Sequence, residues 1–94
     1  MRTQLLPTEE EAEAIALKVL TFLVRDERRL NALQEATGID LATLRRHAAE
    51  RSMQVAVLDH LLSDESLLLI FVADEGCDPN LPRLARMRLS GEDV

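Results

Sequence analysis

The chain of 94 residues has no tryptophan and no tyrosine, and its only aromatic side chains are two phenylalanines, Phe22 and Phe71. A core must therefore be assembled from Leu, Val, Ile, Ala and Met. Glycine and proline together number six, too few for the many turns of an all-β sandwich or barrel. A single cysteine, Cys77, excludes an internal disulfide. The longest apolar run, Leu67 to Ala73, is far short of the roughly 20 residues of a membrane span. The opening stretch MRTQLLPTEEEAEAIALKVLTFLV lacks the shape of a signal peptide, since its short Leu-Leu pair runs directly into glutamates. The expectation is one soluble, cytoplasmic domain over residues 1–94, with flexible ends at 1–7 and 91–94.

The residues present are 47% hydrophobic and 30% charged, a globular balance rather than a disordered one. Leu, Ala, Glu and Arg favour helix. Thr8-Glu9-Glu10-Glu11 has the spacing of a capping box, and Ala12, Ile15, Ala16, Val19, Phe22 and Leu23 follow at three- and four-residue intervals. This predicts a first helix over 9–24. Asp26 is the expected cap of a second helix with Leu30, Leu33 and Ala36 inward, ended by Gly38. Asp40 is the expected cap of a third helix over LATLRRHAAE, and Ser52 of a fourth over MQVAVLDHLL. Ser63 or Asp64 should open a fifth helix, closed by Gly76. Asp78-Pro79 should open a sixth, ended by Gly91.

A shift of 38 residues lays Ile15–His47 on Met53–Ala85 with nine of 33 positions identical, among them Val19/Val57, Leu23/Leu61, Asp26/Asp64, Gly38/Gly76 and Arg45/Arg83. The matches fall on caps, apolar seam and terminating glycines, the pattern of a repeated supersecondary unit. The expected fold is all-α: a compact bundle of five or six short helices in two related three-helix halves, 8–48 and 52–90. Its predicted core is Ile15, Val19, Leu20, Leu23, Leu30, Leu33, Leu44, Val57, Leu58, Leu61, Leu68, Phe71 and Leu84. The pairing also interprets the stretch LLSDESLLLIFV at 61–72. Its acid pair recurs as Asp26-Glu27 just before a helix, which suits a cap better than a catalytic cluster.

The runs VLDHLLSDESLLLIFV, ATGIDLATLRRHA and GCDPNLPRLARMRL resemble domain-of-unknown-function family 3572, over about residues 9 to 90. The most specific element is the L-D-x-L-L-x-D-E run at 58–65. The resemblance implies small, all-helical, cytoplasmic bacterial proteins and brings no catalytic residues with it. Cys77 stands where a leucine-like residue is expected, and Pro82 falls inside the sixth helix.

Few residues could carry chemistry. The histidines, His47 and His60, and Cys77 stand on separate predicted helices with no second ligand one turn away, which disfavours a zinc site. His60 and Ser63 are one turn apart, but no nucleophile elbow or glycine-rich oxyanion loop accompanies them. The three glycines are isolated, so no phosphate-cradling loop is present. No catalytic residue, cofactor or metal is expected, and the protein is expected not to be an enzyme.

Two binding readings stand. The leading one is a protein–protein interaction or adaptor module, monomer or homodimer, whose partner is another protein or a second copy. Its candidate contact residues are Arg45, Arg46 and Arg51 on or beside the third helix, and Leu69 and Val72 on the fifth. The fifth helix is apolar almost all round, whereas the second has Asn31 and Gln34 where Leu69 and Val72 stand. Leu69 and Val72 are about 60° apart around a helix, so something must cover that face. The favoured cover is the Leu5-Leu6 segment folding back to make the fifth helix central; the other is a second subunit.

The alternative is a helix-turn-helix-like nucleic-acid-binding regulator using residues 33–51, with Gly38 in the turn and Arg45, Arg46, His47 and Arg51 on or beside a recognition helix. A net charge of −6 opposes it, because phosphate binding needs cations. The charge is also unevenly placed. Residues 25–51 carry six arginines against five acids, and residues 52–82 carry six acids with no lysine or arginine.

Overall fold

Six helices form among the described residues, and at four of them a side chain, Thr8, Asp26, Asp40 or Asp64, takes up otherwise unpaired amides of the first turn. The structure, a computed structural model, describes residues 6–91. In chain order the helices are α1 (Glu9–Val24), α2 (Glu27–Thr37), α3 (Leu41–Arg46), α4 (Arg51–Leu62), α5 (Glu65–Glu75) and α6 (Leu81–Ser90). The described residues contain no strand, and the fold is a small all-α bundle. At the head of α1, Glu11 N–H donates to Thr8 Oγ1 at 3.1 Å while Thr8 N–H donates to Glu11 Oε1 at 2.9 Å. This closes the capping box that the sequence predicts. Asp26 Oδ1 accepts from the amides of Arg28 and Arg29, Asp40 Oδ1 from Thr43, and Asp64 Oδ1 from Leu67. Gly38 and Gly76 end α2 and α5 with φ of 71° and 70°, in the left-handed region that favours glycine.

Three predicted boundaries move, each for a local reason. The third helix stops at Arg46 instead of running to Glu50, because His47 leaves helical geometry at φ −108°, ψ 17°. The chain then turns, and Glu50 N–H donates to the His47 carbonyl at 2.9 Å. That turn leaves Glu50, not Ser52, at the entry to α4, and Ser52 falls inside the first turn. The sixth helix begins at Leu81 rather than Asp78-Pro79. Asp78 instead closes a turn, its carboxylate accepting from Asn80 N–H at 2.7 Å and its carbonyl from Leu81 N–H at 3.0 Å. Pro82 takes the second helical position, where its missing N–H costs nothing.

Helices α1, α4 and α6 pack most closely together; α2 lies against α1 and α4, and α5 against α4. One cluster of buried side chains joins them, including Val19, Leu23, Leu33, Leu44, Val57, Leu58, Leu61, Phe71 and Leu89. Eleven of the thirteen predicted core residues are buried; Leu30 and Leu68 are half-buried at its edge. Ala36, expected inward on α2, is exposed. Small alanines at 12, 16 and 85 are fully buried; side chains so short let helices approach closely. The two phenylalanines meet edge to face, with ring centroids 5.3 Å apart, and Arg29 lies over the Phe22 ring at 4.0 Å. This stack ties α2, α1 and α5 together.

The expectation that α5 is the central helix fails. The centre is filled by α1, α4 and α6, and on α5 only Phe71 is fully buried. Leu5 lies outside the described residues. Beyond it the chain runs to α6 rather than α5, with the Pro7 carbonyl accepting from Arg88 Nε at 2.9 Å.

Matched positions of the two halves share environments through their first two helices. Val19 and Val57 are buried, as are Leu23 and Leu61, while Asp26 and Asp64 are caps and Leu30 and Leu68 are half-buried. The halves differ at their third helices. α6 has ten residues and sits in the core, whereas α3 has six and buries only Leu44.

Candidate interaction surface

Among the described residues, two of the three exposed large apolar side chains lie on α5. Its Phe71 points inward at 0% exposure, whereas Leu69 is 52% and Ile70 48% exposed. Leu69, Ile70 and Ala73 span about 100° on the side opposite Phe71, and Ala73 is exposed as well. Scattered apolar residues are ordinary on a surface, but a contiguous helical stripe marks a contact region. Of the residues picked from sequence, Leu69 belongs to this stripe. Val72 does not: the 60° between them carries Val72 round toward the core, where it is half-buried. Ile70, not singled out from the sequence, takes its place. Glu65 and Asp74, both exposed, flank the stripe.

The arginines do not form one patch. Arg51 opens α4, not the end of α3, and pairs with Glu9 of α1. Arg46 Nη2 donates to Thr43 Oγ1 at 3.4 Å within its own helix. His47 Nδ1 and Glu50 Oε2 are 2.6 Å apart. Of Arg45, Arg46 and Arg51, Arg45 is the one that lines a groove between helices, and it has no ion pair among the described residues.

Arg45 borders a groove that the sequence did not disclose. Because α3 is short, it leaves a face of α1 uncovered. A hollow of about 210 Å³ remains there, lined by Leu17, Leu20, Val24, Leu41, Leu44 and Arg45. Leu17 is 48% exposed and lies about 160° round the helix from Val19, outside the buried stripe. A large apolar residue opposite the stripe was the available signal. Beyond Leu17 and Thr21 the surface continues toward α5, where Lys18 Nζ is 3.4 Å from Glu75 Oε1 and Arg25 Nη2 is 3.0 Å from Asp74 Oδ2.

The residues considered for chemistry are occupied structurally. The Ser63 hydroxyl donates to the His60 backbone carbonyl at 2.7 Å, not to its ring. Cys77 is half-buried beside the core. Burial, then the charges of Glu75 and Asp78, push its thiol pKa up, so it stays protonated and weakly nucleophilic at neutral pH. Among the described residues no group of three His, Cys, Asp or Glu is placed to hold a metal ion. No described helix is long and apolar enough to cross a membrane.

Residues 9–92 match the family described as protein of unknown function, DUF3572, and the chain belongs to that family. No curated protein and no solved structure matches it.

Proposed function

We propose that this chain is a non-enzymatic protein-interaction module that docks through the outer face of α5. The observation that carries the reading is the half-exposed pair Leu69 and Ile70, on a helix whose inner face is already fixed by Phe71. An isolated surface helix needs one apolar face to hold it to the core; a second apolar face has no use within the chain. Covering such side chains is favourable by about 1.5–3 kcal/mol each when burial is complete. The nucleic-acid reading has less support. α3 has six residues, less than two turns, and Arg51 is held by Glu9, away from any recognition helix. A cytoplasmic setting is part of the same proposal.

The test is site-specific photo-crosslinking in the cells the protein comes from. A crosslinking residue is placed at the exposed Ala73, with and without Leu69→Lys. A discrete crosslinked product that disappears with Leu69→Lys is expected. No product, or one unchanged by the lysine, would overturn the assignment of this face. Because Leu69 is half exposed, the lysine variant should keep its helical circular dichroism.

A further inference from the structure

We infer that the partner of α5 is a second copy of this chain, with the α5 stripe of one molecule seated in the groove between α1 and α3 of the next. The inference rests on the α5 reading above and names its occupant. Three observations carry it. The stripe of Leu69, Ile70 and Ala73 is a convex apolar ridge on a helix. The groove, with Leu17 half exposed on its wall and Leu20, Val24, Leu41 and Leu44 in its lining, is a concave apolar surface formed between two helices. Helix-in-groove docking pairs shapes of this kind.

The charges are also complementary. α5 lies in residues 52–82, which have six acids and no lysine or arginine, so its stripe is flanked by Glu65 and Asp74. The single charged residue lining the groove is Arg45. Neither Glu65 nor Arg45 has an ion pair among the described residues. The chain already joins surfaces of these two signs internally, where Asp74 and Glu75 at the end of α5 meet Arg25 and Lys18 of α1. A symmetric contact of α5 with α5 is the competing geometry. Run antiparallel, it would bring the flanking Glu65 of each copy toward Asp74 of the other, and like charges so placed repel. The ridge and the groove are different surfaces, so their contact is heterologous: each molecule offers one of each.

That asymmetry provides the test. Sedimentation velocity is run on wild type, Leu17→Asp, Leu69→Lys, Arg45→Glu, and an equimolar mixture of the first two variants, from micromolar to millimolar protein. The expected result has four parts. Wild type self-associates, more weakly as salt is raised. Leu17→Asp alone and Leu69→Lys alone each weaken association by about tenfold or more. Arg45→Glu weakens it too. The mixture of the two leucine variants forms a heterodimer that goes no further, because one partner keeps an intact ridge and the other an intact groove. Leu17 and Leu69 are about half exposed, so circular dichroism and Tm should stay close to wild type and separate loss of contact from loss of fold.

Two outcomes overturn the inference. A wild type that stays monomeric throughout excludes a second copy. The α5 face would then still be tested by the Ala73 crosslink, whose product would contain a different protein. A wild type that associates but is indifferent to Leu17→Asp, while responding to Leu69→Lys, places α5 against α5 and removes the groove from the contact.

Discussion

At the scale of single residues, buried polar atoms distinguish a tolerated compromise from a stabilising contact. Gln54 is 4% exposed near the start of α4. Its Nε2 donates to the Ala48 carbonyl at 3.2 Å, which steadies the turn after α3. Its Oε1 is the buried side-chain oxygen left without a partner among the described residues. An orphaned acceptor costs about 1–3 kcal/mol, whereas one ordinary hydrogen bond contributes about 0.5–1.5 kcal/mol. The first effect is the larger, so Gln54→Met, which keeps length and removes both polar atoms, should stabilise the fold by about 1 kcal/mol. Thermal unfolding should show Tm raised by about 4–8 °C; a lower Tm would mean that the bond to Ala48 dominates. Arg29 shows the opposite balance. Its guanidinium covers the Phe22 ring and Nη1 donates to the Phe22 carbonyl at 3.4 Å, so packing and polar contact act together.

At the scale of helices, stability depends on the ends as much as on the faces. α2 has a low apolar content and buries only Leu33, so its caps carry a larger share of its stability. The Asp26 carboxylate accepts from the Arg29 and Arg28 amides. The Arg29 amide bond is the main reason its pKa lies below the ordinary 3.8. A carboxylate with a depressed folded pKa stabilises the native state fully above its unfolded pKa, and that contribution is lost as pH falls through the folded value. Asp40, held by the Thr43 amide, is shifted the same way. Asp26→Asn keeps a capping oxygen but removes the charge. Wild type should therefore melt above Asp26→Asn at pH 7, and the gap should close as the pH is lowered through the acid range below 3.8. A gap constant with pH would show that Asp26 acts only as a neutral cap. Gly38 supplies the other end of α2 at φ 71°, a geometry that costs a residue with a Cβ about 1–2 kcal/mol.

At the scale of the whole molecule, cohesion comes from α1, α4 and α6, with Leu61 of α4 at 0% exposure within their shared cluster. A small domain has only about 5–15 kcal/mol of total stability. A buried leucine contributes about 2–5 kcal/mol by truncation to alanine alone, and an unpaired buried carboxylate adds a further penalty. Leu61→Asp should therefore abolish cooperative thermal unfolding. A sharp transition near the wild-type Tm would show that the centre of the bundle lies elsewhere. The surface helices have less at stake: α5 is attached mainly through Phe71 and its contact with α4. Its outer face can change without disturbing the core, as the leucine and alanine substitutions proposed on it require.

What the sequence determined by itself was local. The capping box at Thr8 and Glu11, the caps at Asp26, Asp40 and Asp64, the left-handed glycines and the apolar seam of α1 and α4 depend on residues a few positions apart. Such interactions are legible as spacing. The boundaries that moved were decided by turns: after α3 the Glu50 N–H donates to the His47 carbonyl, and before α6 the Asp78 carboxylate accepts from the Asn80 N–H. The candidate surface was half legible. Leu69 stood out because α5 is more apolar than α2, but nothing in its spacing showed which side would face water. That was settled when α6 rather than α5 took the place between α1 and α4. Leu89, Ala85 and Leu84 of α6 bury there, and the outer face of α5 is left in solvent. The α1–α3 groove likewise exists only in three dimensions. Whether Leu17 is covered depends on how far a short α3 reaches across α1, and no pattern within α1 encodes that distance.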